Sequence, residues 1–221
     1  MSPNMTATRI IAIRHGETAW NVDTRLQGHL DVALNARGQW QAQRAAQALA
    51  DEDIAAVYSS DLSRARATAQ AIADQCSGQA AGHPVRLHTG LRERGFGIFE
   101  GQTYAQINID WPEESRRWRQ RDPHFAPEGG ETLVQLRERI THTVHAIASQ
   151  HVGEQIVMVA HGGVMDALYR LATGQDIESP RTWDLGNAAI NRLLWTPDGL
   201  TLVGWADTRH LDAAVLDEAS A

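Results

Sequence analysis

The chain contains no lysine; all of its twenty basic residues are arginine. That absence removes whole mechanisms: there is no P-loop lysine for a nucleotide phosphate, no kinase lysine and no amine for a Schiff base. Anions must be bound by arginine, histidine and backbone N–H groups. Cysteine is nearly absent too. The lone Cys76 has no partner for an internal disulfide, which predicts a reducing compartment, the cytoplasm by default. No apolar run approaches the length of a membrane span, and "MSPNMTATRI" lacks a charged-then-apolar signal pattern, so no membrane partner is expected. Nor is there an excess of positive charge: the formal net charge of -7 argues against nucleic acid as a partner, since that role calls for a basic face. The 221 residues suit one domain, 1–221, with a sizeable core. Internal repeats and low-complexity segments are missing as well.

What is present is an alternation. Apolar runs of strand length occur at 9–14, 54–59, 85–88, 156–160, 189–195 and 200–206. Between them lie helical patterns: Asn35 as an N-cap before a face of Ala42, Ala45, Ala46 and Leu49; a stripe of Leu62, Ala65, Ala69, Ile72 and Ala73; and another of Leu133, Leu136, Ile140, Val144 and Ile147. A last helix, about 163–173, should end at Gly174. This alternation predicts an α/β fold with a mostly parallel sheet covered by helices on both faces. "TPDG" between the last two runs predicts an antiparallel hairpin at one end of the sheet. "AINRLLW" (189–195) is open to use as an edge strand in a homodimer, but nothing in the sequence forces it, so monomer and homodimer both stay open. The stretch 96–130, rich in Trp, Pro, Arg and acid, reads as a flap-like excursion that covers something.

Two of the strands end in a way a buried strand should not. "TRIIAIRHGETAWN" runs from four apolar residues into Arg14, His15 and Gly16, and "QIVMVAHGGV" runs into His161, Gly162 and Gly163. A third, "YSSDLSRARATA", puts Arg64 just past a strand. In open α/β sheets ligands bind outside the carboxyl ends of the strands. Glycine there lets the backbone turn and bare its N–H groups, and a following helix N-terminus favours an anion. A lone strand-end histidine is more often structural than catalytic, and Arg64 alone would read as a solvated helix residue. Arg14, His15, Arg64 and His161 together point to one pocket. A metal fits it poorly, because the spacing matches no zinc motif and Arg14 repels cations. Phosphate fits well, since arginine takes its oxygens two at a time.

"IRHGETAWN", "LQGHLDVALNARGQWQA", "YSSDLSRARATA", "LRERGFGIFEG" and "VAHGGV", in that order, resemble the histidine phosphatase (phosphoglycerate-mutase-like) superfamily over about residues 9–165. The resemblance implies a three-layer α/β sandwich. It implies that His15 is the nucleophile that becomes phosphohistidine and that Arg14, Arg64 and His161 form the phosphate pocket. Glu93 resembles the proton donor to the leaving oxygen, a role that calls for a raised pKa, which burial under the flap would supply. Thr18, Asn21, Gln27, Gly28 and Gly162 correspond to positions lining the substrate and phosphate site. The implied reaction is metal-independent and cofactor-free hydrolysis of a small phosphorylated metabolite. The alternative is a cofactor-dependent phosphoglycerate mutase, which the missing lysine and the short insertion after the acid disfavour. A phospho-ligand binding module that never turns over is a third reading, against which the intact His15–Glu93 pair speaks. Trp111, Trp118, Arg121, His124 and Phe125 are expected to shape specificity, unless the aromatic residues among them only fix the flap; Arg116 and Arg117 resemble a mutase arginine pair but read as well as part of an exposed charged helix.

Overall fold

Ile10, Ile11, Ala12 and Ile13 form the middle of β1 (Thr8–Arg14), and all four are buried, as a continuous apolar run requires of a strand covered on both faces. The computed structural model describes residues 7–77, 80 and 82–212. After β1 come β2 (Ala56–Ser59), β3 (Arg86–Leu87), β4 (Gln155–Ala160), β5 (Ile190–Thr196) and β6 (Gly199–Asp207), forming one sheet in the order β3-β2-β4-β1-β5-β6. The first four strands run parallel; β5 is antiparallel to β1, and β6 to β5.

The helices are α1 (Ala19–Val22), α2 (Ala36–Ala48), α3 (Ser63–Ala73), α4 (Tyr104–Asp110), α5 (Pro112–Arg119), α6 (Leu133–Ala148) and α7 (Gly162–Thr173). The pleat sorts side chains to two faces. Ile11, Ile13, Val57 and Val159 meet Ala46, Ala65, Ala69 and Ile72 from α2 and α3. Ile10, Ala12, Ile156 and Met158 meet Ile140, Val144, Val164 and Leu168 from α6 and α7. The result is the expected three-layer α/β sandwich. Asn35 does cap α2, accepting from the Gly38 N–H at 2.7 Å. Gly174 does end α7, in the left-handed conformation at φ 67°.

The structure closes one open option and trims one expected strand. The 189–195 run is not an edge strand: β5 lies between β1 and β6, because the hairpin at Pro197–Asp198 folds β6 onto its outer side. The edge is β6, with an alternating exposed pattern. The run at 85–88 supplies only two paired residues, both exposed.

Residues 96–130 contain α4 and α5 and no strand. They close over their own apolar cluster, in which Phe96, Phe99, Ile107 and Phe125 pack with Leu26, and with Trp111 and Trp118 against it.

Candidate active site

β1 and β4 are in register at Arg14↔Ala160, so the residues after them emerge side by side. The His15 N–H donates to the Ala160 carbonyl at 3.0 Å, and the His15 and His161 rings lie 5.1 Å apart at a 60° tilt. β2, on the other side of β4, leads into α3, whose first turn carries Arg64. Sheet order alone thus gathers three of the four basic side chains, and Arg14 is the last residue of β1.

Each is held in place. The Arg14 Nη1 donates to the Leu185 carbonyl. Arg64, fully buried, donates to the carbonyls of Gly28 (2.8 Å) and Leu30 (2.9 Å) and so fixes the loop that carries Gln27 and Gly28. The His15 Nδ1 lies 2.7 Å from the Gly16 carbonyl. Since a carbonyl only accepts, this contact assigns the proton to Nδ1 and leaves the Nε2 lone pair free. Burial, reinforced by Arg14 and Arg64, holds the His15 pKa well below 6.5. Burial also lowers that of His161, with His15 and the same two arginines adding to it. Both rings are therefore neutral near pH 7.

The cluster carries unanswered hydrogen-bonding capacity. Arg14 Nε, Arg64 Nε and both ring nitrogens of His161 are buried without a partner, as is the Gln27 amide oxygen. Unpaired buried donors are costly, and an oxyanion among them would satisfy them.

Glu93 closes the site from the flap side. Its carboxylate accepts from the N–H groups of Arg94 (2.8 Å) and Gly163 (3.0 and 3.2 Å). The N-terminus of α7 therefore grips this carboxylate. The close approach needs glycine: a Cβ on Gly163 would stand 2.4 Å from Glu93 Oε1. At His15 the expected helix N-terminus is slight, since α1 has only 4 residues. There Gly16 packs directly on Gly38, where a Cβ would meet the Gly38 carbonyl oxygen at 2.3 Å.

Arg14, His15, Asn21, Gln27, Gly28, Arg64, Glu93 and Gly162 line one cavity of about 440 Å³. His161 lies beneath it, beside His15. Thr18 stands behind the wall: it is fully buried, and its hydroxyl caps α1 and bonds the Asn21 carboxamide. Of the residues expected to shape specificity, Trp118 and Arg121 line the cavity. Trp111 and Phe125 instead pack inside the flap against Phe99, and His124 is not in the wall. Arg116 and Arg117 are exposed and pair with Glu113 and Asp122.

The sequence reading missed several wall residues. Arg94 donates to the carbonyls of Glu131 and Phe125. Burial is the main cause of its pKa falling to about 10. Tyr104, Asp166 and Arg181 also line the cavity, and the Asn187 side chain donates to the His15 carbonyl at 2.9 Å. Arg94 stands beside Glu93 in "LRERGFGIFEG", where its proximity to the acid is the one signal it gives; the others come from segments without a motif.

A neutral imidazole at the carboxyl ends of a parallel sheet, with arginines round it, makes a site that binds an oxyanion and attacks it. The chain belongs to the histidine phosphatase superfamily (branch 1), which matches residues 10–208, and phosphatase is its class of activity. It is 38% identical over 216 residues to phosphoglycerate mutase-like protein 4 of Arabidopsis thaliana, covering 96% of this chain and 90% of that one. It is 35% identical over 193 residues to a glucosyl-3-phosphoglycerate phosphatase of Mycolicibacterium vanbaalenii, covering 84% and 83%. The structure of a mycobacterial glucosyl-3-phosphoglycerate phosphatase with VO3 superposes at a TM-score of 0.78 with 32% identity, covering 90% and 99%. Among the described residues no helix is long and apolar enough to cross a membrane, and no three His, Cys, Asp or Glu side chains are grouped to hold a metal ion.

Proposed function

We propose that the protein hydrolyses a small phosphate monoester in two steps through a phosphohistidine at His15. In the first step the His15 Nε2 lone pair attacks phosphorus and the bond to the ester oxygen breaks. Glu93 gives its proton to that oxygen, and the alcohol leaves. In the second, water attacks the phosphoryl group as its bond to His15 Nε2 breaks, Glu93 takes the water's proton, and inorganic phosphate departs. Arg14, Arg64 and His161 stabilise the charge on the transferring group, with Asn21, Gln27, Gly28 and Gly162 around it. Thr18 orients Asn21.

The observation that carries this reading is the set of unpartnered buried nitrogens around His15, whose tautomer leaves Nε2 free. We take residues 1–221 as one functional domain, 96–130 as its flap, and a phosphorylated metabolite in the cytoplasm as its substrate, acted on by a monomer or homodimer. The test is trapping: labelled substrate quenched without acid should leave base-stable, acid-labile phosphate on the protein, and His15→Ala should abolish it. Label on a serine or aspartate would sink the proposal. The likeness to a phosphoglycerate mutase-like protein keeps a mutase as the second reading. Interconversion of phosphoglycerates with added 2,3-bisphosphoglycerate, outpacing phosphate release, would establish that one instead.

A further inference from the structure

Six arginines line the cavity, Arg14, Arg25, Arg64, Arg94, Arg121 and Arg181, against two carboxylates, Glu93 and Asp166. Asp23, outside the wall, pairs with Arg25 at 3.9 Å, so three positive charges are left over and a phosphate monoester dianion would answer two of them. Five of the arginines are tied down. Arg14 and Arg64 donate to backbone carbonyls as described, Arg25 to the Gly101 carbonyl, Arg94 to two carbonyls, and Arg121 to Asp166 and the Ile177 carbonyl. Arg181 makes no hydrogen bond or ion pair with any described residue.

Its backbone is nevertheless pinned on both sides. The Ser179 carbonyl accepts from Arg170 at 2.8 Å. Trp183 stacks on Tyr169 at 4.1 Å with the Arg170 guanidinium 4.7 Å above its ring. The Asp184 carbonyl accepts from the Trp205 indole at 2.9 Å, and Leu185 holds Arg14. The fold thus delivers an exposed guanidinium to the cavity with its donors unspent. It stands among like charges, since it opposes protonation of both Arg14 and Arg121, though less than burial does. An uncompensated cation held beside two others favours an anion between them. Tyr104, 56% exposed, lines the same cavity from the flap and lies close enough to feel the Arg181 charge.

We propose that Arg181, together with the Tyr104 hydroxyl, binds a second anionic group, a carboxylate or a second phosphoryl, carried by the leaving group of the substrate. The planar guanidinium fork takes two oxygens of either. The inference rests on the phosphatase reading, with the scissile phosphoryl at His15 and the second anion at Arg181.

The experiment uses esters that differ in the second anion alone: 3-phosphoglycerate against glycerol 3-phosphate for a carboxylate, and fructose 1,6-bisphosphate against fructose 6-phosphate for a phosphoryl. Phosphate release should favour the doubly anionic member of one pair by about ten- to a hundredfold in kcat/KM, the span of a charged hydrogen bond. The favoured pair identifies the anion. Arg181→Ala should bring that ratio close to one, and Arg181→Lys should keep part of it. Release with no preference in either pair, or a preference that survives Arg181→Ala, overturns this inference alone. Failure to release phosphate from any ester, p-nitrophenyl phosphate included, overturns the phosphatase reading and this inference with it.

Discussion

His15 can act as a nucleophile only while neutral, and burial beside Arg14 and Arg64 keeps it so well below pH 6.5. With p-nitrophenyl phosphate as substrate, kcat/KM should hold as pH falls through 6.5, its acid limb starting well below. A loss centred near 6.5 would mean an ordinary histidine. Stability follows the same groups. Folded His15 and His161 resist protonation more than the unfolded chain does, so the unfolded state binds more protons below about pH 6.5. Their contribution is complete above that pH and is lost as pH falls from there toward the folded values. Melting temperature in phosphate-free buffer should fall between pH 7 and 5, and His161→Gln should flatten the slope. Glu93 is tested by its leaving group. An alkoxide needs a proton and p-nitrophenolate hardly does, so Glu93→Gln should cost alkyl phosphates about 10²–10⁴-fold in turnover and p-nitrophenyl phosphate far less. Equal losses, with phosphorylation of His15 rate-limiting, would return Glu93 to a purely structural place.

Two glycines separate effects on activity from effects on stability at the level of whole elements. In Gly163→Ala, at the head of α7, the new methyl meets the movable end of Glu93 at 2.4 Å. The helix should survive, and alkyl esters should lose turnover much as in Glu93→Gln while the melting temperature barely moves. In Gly16→Ala the obstacle is the Gly38 carbonyl at 2.3 Å, backbone that cannot step aside. Denaturant titration should show about 1–3 kcal/mol of lost stability, the usual cost of overpacking. These contacts also mark what could be read from sequence. β1, β4, α2, α6 and α7 were legible because apolar runs and stripes record burial directly, and Arg14, His15, Arg64 and His161 were legible because they sit at strand ends. The interior position of β5 was not, because β6 decides it by folding onto β5 from outside. The split inside the flap was also hidden, since Trp111 and Phe125 face Phe99 while Trp118 also reaches the cavity. Arg181 and Asn187 belong to the segment that enters β5, and no motif there betrays a wall residue.

For the whole molecule, a chain of net charge -7 concentrates six arginines in one cavity. With that charge doing the work a divalent cation does elsewhere, excess chelator should leave turnover unchanged and vanadate should inhibit. Activity that vanished with chelator and returned with a divalent metal would overturn the assignment. The sheet order carries a consequence in time as well. β1 is made first, yet its two neighbours are β4, from Gln155, and β5, from Ile190. Through most of synthesis the strand that leads into His15 therefore has two bare edges, the kind of surface that seeks foreign strands. Closing such distant pairs is slow. In refolding, return of activity should track the slowest phase of tryptophan fluorescence. Chains stopped before Gln155 should aggregate, because for them a strand with four buried apolar residues in a row has not yet met either partner.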